Sequence, residues 1–128
     1  MFQRRCLKLF LAVAWIGCAE PAPELTYRGP EVRLEPSPEL LATAITVPTG
    51  GYELRRDGIE EDGDQLRVRY TLEEPAPTEV VTQAWSELRD DVAVPVGIRR
   101  VQVLVARRLR GAHYVVAPRH ELAAVLDR

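Results

Sequence analysis

Residues 66–73 read LRVRYTLE, and this stretch predicts the fold class more clearly than any other part of the sequence. Apolar residues at every second position alternate with polar ones, which is the period of a β-strand with one buried face. The preceding segment, Tyr52–Ile59, is predicted to pair with it. Asp62-Gly63-Asp64 lies between the two segments, and Asp-Gly favours the positive φ angles of a tight hairpin. An antiparallel hairpin is therefore predicted near the middle of the chain.

Further strands are predicted on both sides of this hairpin. Alternating apolar residues indicate strands at Glu79–Trp85 and Ile98–Val105, and the apolar run Tyr114–Ala117 indicates another. An edge strand is also expected around Glu31–Leu34, where prolines lie close by. Strands therefore dominate the predicted fold.

Two short helices are also predicted. Ser37-Pro38-Glu39 has an N-cap residue followed by proline at the first helical position, and Leu40, Leu41 and Ala44 follow it. Near the C-terminus, Leu122, Val125 and Leu126 have helical spacing. The predicted fold class is mainly β (α+β): a small antiparallel β-sheet or sandwich domain with a short C-terminal helix.

The first eighteen residues, MFQRRCLKLFLAVAWIGC, have the basic, apolar and small regions of an export signal in the expected order. Their apolar run, Leu9–Ile16, would rise only ~12 Å as a helix, whereas a bilayer core is ~30 Å thick. Ile16-Gly17-Cys18 resembles the lipobox of bacterial lipoproteins, which implies acylation of Cys18. The alternative is an ordinary secretory signal that is cleaved after Ala19 or Ala22.

These features divide the chain into a lipoprotein signal peptide at 1–17, a Pro-rich tether at 18–38 and a β domain at 39–128. The tether contains five prolines, which favour extended conformations. With a lipid on Cys18, the protein is expected at the bacterial cell envelope, attached to a membrane and facing the periplasm or on the outer membrane.

Charge argues against binding to nucleic acid. Removal of residues 1–17 leaves 14 basic against 19 acidic residues, whereas nucleic-acid binding requires neutralisation of phosphates. The basic residues are concentrated towards the C-terminus, which leaves two interpretations open. Opposite charges can face each other across a sheet, or a basic patch can meet lipid headgroups or another anionic partner. The arginines concerned are Arg99, Arg100, Arg107, Arg108 and Arg110.

Catalytic and metal-binding patterns are scarce. Ser86 lies in no Gly-x-Ser-x-Gly motif, and a triad with Asp90 and either His113 or His120 has no recognised spacing. The two histidines lack the spacing of zinc ligands, and Glu60–Asp64 lacks that of a calcium loop. We therefore predict no catalytic residue, no cofactor and no metal site, and a protein that is not an enzyme. A hydrolase built on Ser86 is kept as an alternative.

Thr49-Gly50-Gly51-Tyr52 has the strongest backbone requirement of any short string, because paired glycines allow conformations and close approaches that a Cβ forbids. With Val47-Pro48 before it, then the strand at 66–72, Pro75-Ala76-Pro77 and Val81-Thr82-Gln83-Ala84, it resembles the C-terminal domain of the PrcB family. The likeness extends roughly over Val47–Val105. Members of that family are bacterial lipoproteins named for a subunit that stabilises a partner protease.

The resemblance implies a non-catalytic domain that binds, and can stabilise, another exported protein, with a protease as one candidate. The alternative is a module that binds a small ligand or an envelope polymer, or that inhibits a protease. A purely structural interpretation is also open, in which the glycines shape a bend and the aromatic residues fill the core. The candidate binding residues are Gly50, Gly51, Tyr52, Thr82, Gln83 and Trp85.

Overall fold

The computed structural model describes residues 23–128, which form seven β-strands in two sheets. The strands are β1 Val32–Pro36, β2 Leu40–Val47, β3 Glu53–Asp62, β4 Gln65–Glu74, β5 Ser86–Ala93, β6 Arg100–Leu109 and β7 Glu121–Asp127. Sheet A has the order β1-β2-β5, and sheet B has the order β3-β4-β6-β7. The mainly β prediction is confirmed. No helix in this range has the length and apolar character needed to cross a membrane.

The predicted central hairpin is confirmed. β3 and β4 pair antiparallel, with Asp62 opposite Gln65 and two residues in the turn between them. Gly63 occupies the first turn position with a φ angle of 64°, whereas no residue other than glycine has a positive φ angle in the described range. Glycine at this position is the signature of a type II′ turn, which matches the twist of the two strands.

Alternate residues of β4 form the centre of the core between the sheets. Leu66, Val68, Tyr70 and Leu72 are fully buried, on the face that their period predicts. Burial of an aliphatic side chain of this size contributes about 1.5–3 kcal/mol. The other large, fully buried apolar side chains come from both sheets: Leu41, Ile45, Val47, Val92, Val101, Val103 and Val105.

The antiparallel prediction is wrong for one pair of strands. β4 and β6 are parallel, with Gln65 opposite Arg100 and Glu74 opposite Leu109. After β4 the chain crosses to sheet A, forms β5 and returns, so both strands run in the same direction. A period of two shows which face of a strand is buried but not the direction of its neighbour.

Both helix predictions are wrong. Leu40–Val47 forms β2, and Ser37 turns the chain between β1 and β2 because its amide donates a 2.8 Å hydrogen bond to the carbonyl of Leu40. The predicted C-terminal helix is β7, which pairs with β6. A register shift between Val103 and Leu104 places Leu122 opposite Leu104, and this irregular pairing accommodates apolar residues whose sequence spacing resembles that of a helix.

Two of the predicted strands are also wrong in position. Residues 79–85 form a loop and β5 begins only at Ser86, while Tyr114–Ala117 lies in the loop before β7. An apolar run becomes a strand only where a neighbour offers backbone groups in register. The strand predicted at Ile98–Val105 is confirmed as β6, which extends to Leu109.

Part of the segment predicted as a tether belongs to the folded domain. β1, at the edge of sheet A, confirms the edge strand predicted around Glu31–Leu34, and its Val32 and Leu34 pack against the core. The amides of Thr26 and Tyr27 both donate to the carbonyl of Leu122, at 3.1 and 3.0 Å. Burial raises the pKa of Tyr27 to about 12. The predicted signal peptide at 1–17 and the lipidation residue Cys18 lie outside the described residues.

Candidate functional site

Three loops meet at one end of the domain, which we name the loop end. They are residues 48–52 between β2 and β3, residues 75–85 between β4 and β5, and residues 110–120 between β6 and β7. The parallel register puts the end of β4 beside the end of β6, and the antiparallel register puts Val47 opposite Ser86. All six binding residues suggested by the sequence lie in the first two loops.

The glycine pair brings the first two loops into contact. The amide of Gly50 donates a 2.9 Å hydrogen bond to the carbonyl of Thr82. Gly51 has a φ angle of 88°. A Cβ on Gly51 would lie 2.8 Å from Cγ1 of Val81 and 3.0 Å from Cβ of Pro75. Glycine is therefore required here both by the backbone conformation and by the close approach of loop 75–85.

Arg110 holds the same two loops to sheet B. Its guanidinium donates to Glu73 at 2.9 Å, to Glu79 at 2.8 Å and to Glu53 at 2.8 Å. It also donates a 2.9 Å hydrogen bond to the carbonyl of Gly51. These interactions raise the pKa of Arg110, and the hydrogen bonds to Glu73 and Glu79 have the largest effect. In the sequence, Arg110 belongs to a cluster of arginines, but the acidic partners of Arg110 are evident only in the structure.

The remaining candidate residues differ in exposure. Tyr52 is half-buried and packs against the core, as the structural interpretation predicts. Thr82 and Gln83 are exposed, and the side-chain amide of Gln83 lies 3.5 Å from the carbonyl of Val81. Trp85 is 73% exposed, so the prediction that it fills the core is wrong. The loop instead presents this indole to solvent.

The loop end carries other exposed apolar side chains that the sequence analysis missed. Val80 is fully exposed on loop 75–85, and Val115 and Val116 are exposed on loop 110–120. They lie in segments that the sequence predicted as strands, so only the positions of the strands reveal them as loop residues. Exposed apolar side chains that cluster on one surface often mark a contact with another protein.

The arginines near the C-terminus mostly face acids across sheet B, as the first of the two charge interpretations predicts. Arg107 pairs with Glu74 at 2.6 Å, and Arg100 pairs with Asp127 at 2.6 Å. Arg108 differs, because its guanidinium lies over the ring of Tyr114, 5.1 Å from the ring centroid. Three of the five arginines, Arg100, Arg107 and Arg110, therefore form ion pairs with carboxylates.

Three groups of the hypothetical triad, Ser86, Asp90 and His120, have other partners. Ser86 donates to the carbonyl of Ala84 at 3.4 Å. Asp90 accepts from Tyr70 at 2.8 Å, and His120 lies 3.0 Å from Asp57. Within residues 23–128, no group of three or more His, Cys, Asp or Glu side chains is arranged to hold a metal ion.

Asp57 lies in a bulge of β3, between Arg56 and Gly58. Its Oδ2 accepts a 2.5 Å hydrogen bond from Thr71 and lies 3.0 Å from Nε2 of His120. Desolvation opposes ionisation, but the hydrogen bonds from Thr71, His120 and Arg55 outweigh it and lower the pKa of Asp57. The bulge therefore directs an ionised carboxylate to the outer face of sheet B.

Comparison with known proteins identifies the central part of the chain. Residues 34–87 match the family model described as PrcB C-terminal. No curated protein and no solved structure matches the chain. The matched segment begins in β1, includes the glycine pair and loop 75–85, and ends in β5. The match supports a PrcB-like C-terminal domain over residues 34–87.

Proposed function

We propose that this domain is a non-catalytic module that binds a partner exported protein, such as a protease, through the loop end and stabilises it. The observation that carries the proposal is the exposure of Trp85 and Val80 on a loop that Arg110 and the glycine pair hold in place. Large aromatic side chains dominate the binding energy of many protein interfaces. A loop that is already ordered loses little conformational entropy on binding.

The family match supports a protease-associated accessory domain without catalytic residues. The hydrogen bonds of Ser86, Asp90 and His120 to other groups agree with this function, because nucleophilic catalysis needs the three groups bonded to one another. The exposed indole of Trp85 favours a protein partner over the small-ligand alternative, which requires a deep pocket around Tyr52 and Trp85.

The membrane attachment is a second part of the proposal. A diacylglyceryl group on Cys18 would hold the domain at the cell envelope, with residues 19–22 between the lipid and the described chain. Two acyl chains give stable attachment, whereas a single chain gives marginal binding. Metabolic labelling with an alkyne fatty acid tests this part. Label should appear in the wild-type chain and be lost in Cys18→Ser; equal labelling of both would contradict it.

Site-specific crosslinking in the native host tests the binding surface. A photoreactive residue at position 80 should give one stoichiometric adduct with an exported protein. The matched control places the same residue at position 96, because Val96 is equally exposed but lies at the opposite end of the domain, next to the hairpin turn. Trp85→Ala should remove the adduct at position 80. Equal adducts at 80 and 96, or none at 80, would overturn the proposal.

A separate measurement tests stabilisation. The half-life of the crosslinked partner should fall in cells that lack this chain, and it should be restored by the wild-type chain but not by Trp85→Ala. If the partner binds the loop end but its half-life is unchanged, the result would support the binding function and contradict the stabilising function.

A further inference from the structure

A cavity of about 230 Å³ lies on the outer face of sheet B, away from Val80 and Trp85 on loop 75–85, and loop 110–120 forms one of its walls. Thr71 and Ala106 form its floor, on neighbouring strands and on the face opposite the core. Residues 117–120 pass over this face before β7 begins and form a wall. Thr71 is 8% exposed and Ala106 is 3% exposed, so the cavity has an interior that is partly shielded from solvent.

The charged groups of the cavity do not cancel. Arg55 and Arg108 are the two guanidinium groups in its lining, and Asp57 is the single carboxylate. The carboxylate of Asp57 forms an ion pair with Arg55, accepts a hydrogen bond from Thr71 and lies 3.0 Å from Nε2 of His120. The two guanidinium groups and the one carboxylate of the lining sum to one positive charge.

Arg108 provides the unmatched cation. In the part of the chain that the structure describes, it forms no ion pair with a carboxylate, whereas its neighbour Arg107 pairs with Glu74. Its guanidinium lies over the ring of Tyr114, which restrains the group from one side and leaves its N–H donors in the plane available. A guanidinium in this state is suited to bidentate binding of a planar anion.

We propose that this cavity binds a single carboxylate on a short apolar stem, with Arg108 as the principal cation. Ala106, Ala117 and Pro118 supply the apolar surface that the stem would contact. One net positive charge matches a monoanion, and the carboxylate of Asp57 would repel a doubly charged phosphate. The carboxylate can belong to a free small acid or to a glutamate side chain of a peptide, since both have this chemistry.

Titration of the isotope-labelled full chain with sodium propionate at constant ionic strength, followed by amide NMR, tests the proposal. Saturable shifts are expected at residues 55–57, 71, 106–108 and 117–120. Propionamide, the neutral isostere, should cause none. N-acetyl-glutamate N-methylamide forms the second arm: binding of either carboxylate supports the proposal and identifies the source. Shifts that fail to saturate with both, or equal shifts with propionamide, would overturn it.

Substitutions of Arg108 test whether its guanidinium is the group that binds the carboxylate. Arg108→Gln should weaken propionate binding by about tenfold, the effect of losing one charge-assisted hydrogen bond. Arg99→Gln is the matched control, because Arg99 is exposed beside the hairpin turn at the far end of sheet B. Arg108→Lys keeps the charge without the planar fork and should give intermediate binding. Equal weakening by Arg99→Gln and Arg108→Gln would contradict a specific site.

Discussion

The hydroxyl of Tyr70 donates a 2.8 Å hydrogen bond to Oδ2 of Asp90, and this bond joins the two sheets through the core. Tyr70 belongs to β4 in sheet B, whereas Asp90 belongs to β5 in sheet A. Oγ1 of Thr43 lies 3.3 Å from the same hydroxyl, and Nε of Arg56 lies 3.1 Å from Asp90. Burial raises the pKa of Tyr70 well above its usual range. The polar group in the core is thus fully partnered.

Tyr70→Phe should lower the free energy of unfolding by about 1.5–3 kcal/mol, because it removes a hydrogen bond to a charged acceptor and leaves Asp90 with one partner fewer. Urea denaturation measures the change. Tyr52→Phe is the control, since Tyr52 is half-buried and its hydroxyl forms no hydrogen bond within residues 23–128. It should change stability by less than about 0.5 kcal/mol. Equal losses in the two variants would contradict a structural function for the Tyr70–Asp90 bond.

Gly51→Ala should lower the free energy of unfolding more than Gly63→Ala does. Gly51 and Gly63 both have positive φ angles, so each substitution introduces backbone strain of about 1–2 kcal/mol. Only at Gly51 would the new Cβ also meet Val81 and Pro75, whereas Gly63 has open space around it. Thermal unfolding of the two variants gives the difference. If Gly63→Ala proved the more destabilising, the close packing of loop 75–85 would be refuted.

Arg110→Gln should loosen loop 75–85 while the core remains folded. Without the guanidinium, the carboxylates of Glu53, Glu73 and Glu79 lose their shared partner and repel one another. Hydrogen exchange at the Gly50 amide, which bonds to Thr82, should become faster. Exchange at Val103, in the middle of β6, should not change. Unchanged exchange at Gly50 would mean that the glycine pair alone holds the loop.

Asp57 should contribute to the pH dependence of stability. Because its pKa is lowered in the folded state, its contribution is present above the ordinary value near 4 and is lost as pH falls towards the folded value. Asp57→Asn should therefore have a lower melting temperature than wild type at pH about 7, and the gap should narrow as pH falls below the ordinary pKa of the carboxyl. Asp64→Asn, in the exposed hairpin turn, serves as control. A gap that persists in acid would indicate that packing, rather than ionisation, is responsible.

Part of the candidate site could be predicted from local sequence. Two adjacent glycines before a strand indicate an unusual backbone, and Gly51 has the positive φ angle that such a pair permits. The partners of Arg110 could not be predicted in this way. Glu53 is 57 positions from Arg110 and Glu79 is 31 positions away, and contacts at such separations leave no periodic signal. The exposure of Trp85 was likewise hidden, because an aromatic residue in a chain with few aromatics is expected to be buried.

Local pattern determined the central hairpin, the buried face of β4 and the position of β6, because a strand with one buried face imposes a period of two on its own residues. Tertiary structure decided the rest. Leu40–Val47 and Glu121–Asp127 became strands because neighbouring strands offered them backbone hydrogen bonds in register, which outweighs a weak local helical preference. The parallel pairing of β4 with β6 arises from the crossing of the chain between sheets, and the cavity beside Arg108 forms where loop 110–120 covers the outer face of sheet B. Residues close in sequence encode neither arrangement.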